Sequence, residues 1–505
     1  MKPVPSVARN ILANFAGRGW AGIISLVFVP LYLKFLGIES YGLIGIYMSL
    51  AALLAILDMG LSATFNRELA RLSALPDTDQ EARDLTRTLE VVYAAVGLVA
   101  GLALVLAAPV ISRSWVNAKG LPADVVTKAV MLMGGVVALE WPSAIYGGGL
   151  IGLQRQVLYN GIRAGMATVQ AGGAVLILWL VSPTILAYFC WQMLTAFVQM
   201  LLFYRALWAS LPRTNVPATF QRNLLQKNWR FAAGLTGISI LGTALTQFDK
   251  IVLSKLLSLE SFGYYVLAFN IASALNNIVH PIFFAIFPRL SQIVAQNNVS
   301  ELRSLYHRSC QLLSSMLFPV AATLLFFSHE ILDLWIGNPT TSNNTFLLLS
   351  IIIVGTSLNS ILVPPFMLQL AHGWTSLSFY KNVVAIIVYL PVLLFLAWRH
   401  GAVGAGVAWI ILNAGYVIIE IPIMHRRVLP SNMKTWYLVD ILPPLLSSAL
   451  ICYLSHLYLP PLLPKLLLFA WILATAFVAF AAMPFMLPYV KDWIKRYIFR
   501  KILPT

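Results

Sequence analysis

The stretch LGIESYG at residues 36–42 recurs as LSLESFG at residues 257–263, which begins 221 residues further along the chain. Both copies lie between long apolar segments, and in each a Glu-Ser pair is followed by an aromatic residue and a glycine. A repeat at this distance indicates a duplicated half. Membrane proteins with two such halves are typically transporters, in which two lobes move against each other around a shared site.

The composition indicates that lipid surrounds most of the chain. Hydrophobic residues make up 59% of the sequence and charged residues 10%, and the mean hydropathy is +0.81. A soluble domain carries about 25% charged residues, so a chain of 505 residues this poor in charge cannot cover a globule with polar surface. We therefore predict an all-α polytopic membrane protein.

Apolar runs of about 20 residues, long enough to cross the hydrocarbon core, recur from end to end. We predict about fourteen transmembrane helices, at residues 11–36, 41–66, 88–111, 129–152, 157–181, 184–204, 231–256, 262–288, 309–328, 345–371, 377–398, 402–425, 439–459 and 463–487. The first run is too long for a signal peptide and lacks a clear cleavage site, which favours a retained first span.

The two copies of the repeat are separated by six predicted helices, so both enter the membrane from the same side. The halves are then related by a pseudo-two-fold axis along the membrane normal. We predict a six-helix lobe at residues 1–208, a second at 226–428, an extra transmembrane pair at 439–487 and a basic cytoplasmic tail at 488–505.

The distribution of basic residues predicts the orientation. Lys and Arg are concentrated on the side of the predicted membrane that holds both termini, and this bias predicts that both termini are cytoplasmic. It also accounts for most of the net charge of +16. The basic residues are dispersed over short loops and form no recognisable nucleic-acid-binding fold, so we expect no nucleic-acid partner. Three scattered cysteines suggest neither a disulfide framework nor a metal site, and we expect no cofactor.

Polar residues inside the predicted spans recur at helical spacing, so each set shares one helix face. The sets are Asn14, Arg18, Ser25 and Tyr32; Asp58, Ser62 and Asn66; Thr236, Ser239, Thr243, Thr246 and Lys250; and Asn270, Ser273, Asn277 and His280. A single Ser or Thr is more often a contact between helices. A charge in the bilayer is costly unless it meets water or a partner, so the sets together predict a hydrated cavity.

Several short motifs occur at the ends of these spans. They are Phe35-Leu36-Gly37 with Tyr41-Gly42, Leu57-Asp58-Met59-Gly60-Leu61 with Asn66-Arg67, Gly152-Leu153-Gln154-Arg155 with Asn160 and Arg163, Asp249-Lys250, and Gly263-Tyr264-Tyr265. Together they resemble the polysaccharide transporters (Wzx-type O-antigen flippases) of the MOP superfamily, which also contains MATE drug antiporters and lipid II flippases. The likeness covers about residues 10–425. It implies two six-helix bundles around a central cavity (a MATE-like fold), and fourteen helices depart from the twelve of many members.

The resemblance implies a function in the bacterial cytoplasmic (inner) membrane. The protein would move an undecaprenyl-pyrophosphate-linked oligosaccharide, the repeat unit of an O-antigen, capsule or exopolysaccharide, to the periplasmic leaflet by alternating access, without enzymatic chemistry. Expected partners are this substrate, membrane lipids, a polysaccharide polymerase and a chain-length regulator. The alternatives are a lipid II-type flippase, a MATE-type cation-coupled drug antiporter, which would need a negatively charged cavity, and a membrane-embedded glycan ligase.

The chemistry of that substrate suggests roles for the polar residues. Phosphates are held by charge-assisted hydrogen bonds from Arg or Lys, and amides and hydroxyls suit sugars. We expect headgroup contacts from Arg18 and Lys250, and sugar contacts from Asn14, Asn270, Asn277 and Thr243. The candidates for proton or sodium coupling are Asp58, Asp249 and His280, with a structural role as the alternative. Arg67 and Arg289 are expected at the cytoplasmic entrance, with membrane anchoring as the alternative.

Overall fold

The structure is a computed structural model that describes residues 7–58 and 60–489, apart from the side chains of residues 7–13, 15, 18, 227–239 and 285. In this part of the chain the regular structure is helical. The helices are α1 (Val7–Val27), α2 (Val29–Leu54), α3 (Leu61–Leu72), α4 (Asp79–Val110), α5 (Ala123–Gly152), α6 (Gln156–Leu180), α7 (Ile185–Ser210), α8 (Arg222–Leu256), α9 (Leu259–Ser273), α10 (Asn276–Ala295), α11 (Val299–Phe326), α12 (Ser328–Ile336), α13 (Pro339–Ile361), α14 (Val363–Ala371), α15 (Thr375–Val428), α16 (Met433–Thr435), α17 (Leu442–Leu457) and α18 (Lys465–Met486).

Each of the fourteen predicted spans overlaps a helix of the structure. Ten helical segments of the described chain are long and apolar enough to cross a membrane, so the protein is a multi-pass membrane protein, as predicted. The predicted spans 377–398 and 402–425 both lie in α15, which bends at Gly401, where φ is 58°. A glycine adopts this left-handed backbone without steric cost. The number of crossings and the orientation of the termini stay predictions.

The chain forms two compact units, Met1–Gly263 and Tyr264–Thr505. In the first unit α5 packs against α4 and α7, α1 packs against α6, and α8 packs against α2, α3 and α4. In the second unit α11 contacts α10, α13, α17 and α18. The predicted boundaries of the lobes, at residues 208 and 226, stay predictions.

The two copies of the repeat contact each other inside the first unit. A Cβ atom on Gly42 would lie 2.5 Å from the carbonyl oxygen of Leu259, and a Cβ atom on Gly263 would collide with the carbonyl oxygen of Ile38. Because residues 259 and 263 are the counterparts of 38 and 42 in the repeat, the two contacts are reciprocal. Such an exchange of equivalent contacts is the property of a two-fold axis.

The segment between α4 and α5 contacts both copies of the repeat. The Glu39 carboxylate accepts hydrogen bonds from the backbone N–H groups of Lys119 (2.6 Å) and Gly120 (2.9 Å). The carbonyl of Asn117 accepts the N–H of Leu259 at 2.9 Å. Trp115, at the end of a π-helical turn, donates its indole N–H to Ser254 at 3.0 Å. This segment therefore fixes the contact between the two copies.

Both halves contain an interrupted helix at nearly corresponding positions. In the first, α2 ends at Leu54, a 3-10 turn covers Ala55–Asp58, and Gly60 has a left-handed backbone before α3 begins. In the second, α9 ends at Ser273 and α10 begins at Asn276, which after the shift of 221 residues correspond to positions 52 and 55, a few residues before the interruption of the first half. Interrupted helices at matching positions of two repeats are typical of transporter binding sites.

A buried polar cluster joins α11 to the C-terminal helices of the second unit. His307 Nδ1 lies 2.5 Å from Asp440 Oδ2, and Gln311 donates to Asp440 Oδ1 at 2.9 Å. Asp440 belongs to the π-helical turn Trp436–Ile441, which leads into α17. Buried polar groups are stable only when they are hydrogen-bonded, so this cluster ties the C-terminal segment to α11.

Candidate functional site

A cavity of about 340 Å³ lies at the helix interruption of the first unit. It is lined by Ala51, Leu54, Ala55, Asp58, Ser62, Tyr93, Val137, Glu140, Trp141 and Ala144. These residues come from the end of α2, the 3-10 turn, α3, α4 and α5. The cavity thus combines two carboxylates with a largely apolar wall.

Both carboxylates of this cavity are hydrogen-bonded to hydroxyl groups. Asp58 accepts a hydrogen bond from Ser62, one helical turn further on, at 2.9 Å, and a short one from Tyr93 of α4. Glu140 of α5 accepts from Tyr47 of α2 at 2.7 Å. A hydroxyl can donate to a carboxylate or accept from a protonated carboxyl group. These contacts are therefore compatible with either protonation state.

A second cavity of about 610 Å³ adjoins the first. It is lined by Ala21, Ser62, Ala63, Asn66, Ser143, Ala144, Gly147, Gly148, Ile151, Tyr159, Arg163, Ala167, Gln170, Gln199 and Phe203. Ser62 and Ala144 line both cavities, so the two cavities adjoin at α3 and α5. Asp58, Ser62 and Asn66 all line this space, as expected from their spacing. It forms a polar track from Asn66 and Arg163 to Asp58.

One wall of the second cavity is aromatic and closely packed. The rings of Tyr159 and Phe203 stack with centroids 5.5 Å apart. A Cβ atom on Gly147 would lie 2.8 Å from the Tyr159 ring, so the absence of a side chain at Gly147 lets the ring occupy its position. Phe203 belongs to an apolar core cluster of the first unit, against which Tyr159 packs. The wall is therefore fixed by the core.

The predicted site residues of α8 lie elsewhere in the first unit. Asp249 and Lys250 are buried and form an ion pair at 3.2 Å, and the Lys250 ammonium also donates to the Thr246 carbonyl at 2.8 Å. Thr243 is half-buried on the same helix. Neither of the two cavities is lined by these residues. Their predicted roles in binding and coupling stay predictions.

Asn14, a predicted site residue of α1, is not among the residues that line these two cavities. Asn14 donates to Gln156 at 2.7 Å and accepts from Asn160 at 2.5 Å, which joins α1 to α6. The side chain of Arg18 lies outside the described residues. In the described lining the charged residues are Asp58, Glu140 and Arg163, and Lys250 is not among them. The predicted role of Arg18 stays a prediction.

In the second unit, Asn270 is half-buried in α9, and Asn277 and His280 are exposed on α10. Arg289, also exposed on α10, pairs with Glu301 at 2.6 Å. The other predicted entrance residue, Arg67 of the first unit, is half-exposed and pairs with Glu68 at 3.0 Å.

Glu68 illustrates the electrostatics of this charged end of α3. Burial raises the pKa of Glu68, but hydrogen bonds from Arg71 and Arg67 outweigh burial and hold the pKa below its usual value. The carboxylate therefore stays charged at neutral pH and neutralises part of the positive charge of the two arginines.

Sequence reasoning missed several residues of the track. Ser143, Gln170 and Gln199 were not among the predicted site residues. A signal was present on α6, because Tyr159, Arg163, Ala167 and Gln170 follow at intervals of three and four residues, and all four line the second cavity. These residues could be assigned to the site only once it was known that α6 turns this face towards α3 and α5.

Comparison with known proteins is consistent with this architecture. The profile of a family described as "polysaccharide biosynthesis protein" matches residues 7–294, and the MatE profile matches residues 236–395. A putative O-antigen transporter of Shigella flexneri is 22% identical over 81% of this chain and 96% of its own length. The lipopolysaccharide biosynthesis protein WzxC of Escherichia coli K12 is 26% identical over 44% of both chains.

Solved structures confirm the predicted fold. The lipid II flippase MurJ, in an inward closed conformation, matches 98% of this chain and 100% of its own with a TM-score of 0.66 at 12% identity. An inward-facing multidrug resistance MATE family transporter of the MOP superfamily matches 84% of this chain and 96% of its own with a TM-score of 0.63 at 14% identity. With the family profile covering more than half of the sequence, the chain belongs to the polysaccharide biosynthesis protein family.

Proposed function

We propose that the protein is a flippase that moves a polyprenyl-pyrophosphate-linked oligosaccharide, such as an O-antigen, capsule or exopolysaccharide repeat unit, across the inner membrane by alternating access. Family membership and the similarity to a putative O-antigen transporter support the class of substrate. The protein acts on membrane lipids without altering them chemically. A polymerase and a chain-length regulator are proposed to receive the translocated unit.

The polar track of the first unit is the observation that carries the proposal. A sugar-phosphate headgroup cannot cross hydrocarbon without polar contacts. The track offers a guanidinium at Arg163, amides at Asn66, Gln170 and Gln199, and then the carboxylate of Asp58 at the helix interruption. This succession of groups suits a phosphate followed by sugars.

We propose that Asp58 couples transport to protons or sodium ions. It lies where α2 is interrupted, and its carboxylate joins this interruption to α4 through Tyr93. A change of charge at Asp58 would alter that contact. Interrupted helices bind coupling ions in many secondary transporters.

The direct test is flipping of a fluorescent undecaprenyl-pyrophosphate-linked saccharide in proteoliposomes, read as the fraction of label that a membrane-impermeant reductant can reach. We expect the parent protein to accelerate exchange between leaflets and Arg163→Gln to reduce it. The matched control is Arg213→Gln, an exposed arginine outside the track. Exchange equal to that of protein-free vesicles would refute the proposal.

A cation-coupled drug antiporter is the second candidate, and the two carboxylates favour it. Asp58 and Glu140 line one cavity, and acidic residues in a cavity attract cationic molecules. The antiporter predicts that a pH or sodium gradient drives uptake of a fluorescent organic cation into the same vesicles. Uptake of the cation without saccharide flipping would select this alternative.

A further inference from the structure

The larger cavity of the first unit contains polar groups that lack a protein partner. Ser143 is buried, with 8% of its surface exposed, and its hydroxyl has no hydrogen-bond partner. In the described part of the chain no hydrogen bond joins the side-chain amides of Asn66, Gln170 or Gln199 to the protein. Buried polar groups in native proteins are nearly always satisfied, which applies to Ser143, whereas the three amides are half-buried and present hydrogen-bonding groups to the cavity. The lining therefore calls for a ligand rich in hydrogen-bonding groups.

The type of these groups narrows the class of ligand. The three amides and the Ser143 hydroxyl can each both donate and accept, and the Ser62 hydroxyl, which donates to Asp58, can still accept. This set of groups matches the hydroxyl groups of a sugar. The stacked pair Tyr159 and Phe203 adds a flat apolar surface against which the C–H face of a sugar ring can pack. A prenyl chain would leave the amides unsatisfied, which costs free energy for every group.

Arg163 supplies the phosphate end of the same site. Its guanidinium donates to the Tyr159 hydroxyl at 3.4 Å and is exposed. An exposed guanidinium next to a row of amides can hold a phosphate while the sugar enters the cavity. A phosphate at Arg163 would not share its cavity with a carboxylate, because Asp58 and Glu140 line the adjoining cavity and not this one.

We infer that this cavity is the saccharide-binding subsite, in which Asn66, Ser143, Gln170 and Gln199 hold the sugar next to the lipid phosphate, and Tyr159 supports its ring. The inference rests on the proposed function and specifies where the saccharide binds. Its volume of about 610 Å³ lies in the range of small-molecule sites, which are about 300–1,000 Å³.

The experiment measures protection of a cysteine in the cavity. Ala63, an exposed lining residue, is replaced by cysteine in a Cys190→Ala background, because Cys190 is the exposed native cysteine. Maleimide labelling is followed with undecaprenyl pyrophosphate bearing one N-acetylglucosamine, and with the same lipid without sugar. We expect the sugar-bearing lipid to slow labelling by about tenfold and the sugar-free lipid to have little effect.

Two variants test the lining itself. Gln170→Leu with Gln199→Leu removes two amides and should abolish most of the protection, whereas Gln296→Leu, an exposed glutamine of the second unit, should not. If the double variant does not fold, Ser143→Ala, which removes only the hydroxyl, is tested in its place. The subsite is overturned if a folded lining variant keeps the full protection of Ala63→Cys by the sugar-bearing lipid. It is also overturned if both lipids protect the cysteine equally or if neither protects it. If flipping in proteoliposomes persists in those cases, the proposed function stands; if flipping is absent from the parent, the function itself fails.

Discussion

Gly42 lies so close to Leu259 that no side chain fits between them, and Gly263 stands in the same relation to Ile38. The contact joins the two copies of the repeat and is reciprocal. Equivalent residues of the two copies therefore meet as they would across a two-fold axis. Both copies share one feature at this contact: the glycine has no side chain.

The first prediction concerns this contact. Gly42→Ala places a methyl group 2.5 Å from the Leu259 carbonyl oxygen, so the two copies must separate. We expect a loss of about 1–3 kcal/mol of stability, as in other overpacked interiors, measured as a lower melting temperature in detergent. Gly263→Ala should behave alike because the contact is reciprocal.

The matched control is Gly161→Ala on α6, where an added Cβ atom meets nothing within 4 Å. It should leave the melting temperature unchanged or raise it, because alanine favours helix by about 1 kcal/mol over glycine. Equal melting temperatures for Gly42→Ala and Gly161→Ala would contradict the close contact.

The second prediction concerns the buried ion pair of α8. Lys250→Met removes the cation next to Asp249 and leaves a carboxylate buried, which we expect to cost about 3–5 kcal/mol. The double variant with Asp249→Asn should recover part of that loss, because neither charge remains. Thermal unfolding of both single variants and of the double variant completes the cycle. Additive losses would show that the pair is not coupled.

The third prediction concerns Asp58. Asp58→Asn keeps the size of the side chain but removes its charge, so we expect flipping to lose its dependence on a pH or sodium gradient while basal exchange persists. Proteoliposomes with and without the imposed gradient provide the measurement. Asp124→Asn, at an exposed position of α5, is the control. Full gradient stimulation in Asp58→Asn would assign coupling to another group.

Tyr93→Phe provides a second readout at the same place. It deletes the hydroxyl that donates to Asp58 and retains the ring. Because this hydroxyl joins α4 to the helix interruption, we expect the gradient to stimulate flipping less than in the parent protein. Undiminished stimulation would mean that the contact between Tyr93 and Asp58 does not contribute to coupling.

The fourth prediction concerns the wall of the larger cavity. A Cβ atom on Gly147 would meet the Tyr159 ring at 2.8 Å, so Gly147→Ala should push the ring into the cavity. We expect slower maleimide labelling of Ala63→Cys without any ligand, and about tenfold slower flipping of the saccharide lipid. Gly165→Ala, where the added atom meets open space, should leave both rates unchanged. Identical labelling rates in the two variants would contradict the packing.

The fold was predictable because lipid imposes long apolar runs, and each predicted span overlaps a helix. The repeat at residues 36–42 and 257–263 also predicted the duplication. The site was predictable in part: the spacing of Asp58, Ser62 and Asn66 identified one lining face. Glu140 and Gln199 could not be assigned, because a single polar residue on a helix does not reveal which neighbour it faces. The pairing of Lys250 with Asp249 depends on side-chain conformation, which periodicity does not specify.

The cluster of His307, Gln311 and Asp440 has a consequence for relatives with fewer helices. The Shigella transporter matches this chain over 96% of its own length but only 81% of this one, so it is the shorter protein. A chain that ends before position 440 would expose the imidazole of His307 to acyl chains. We therefore expect shorter family members to carry an aliphatic residue there, and histidine to appear together with the added helices.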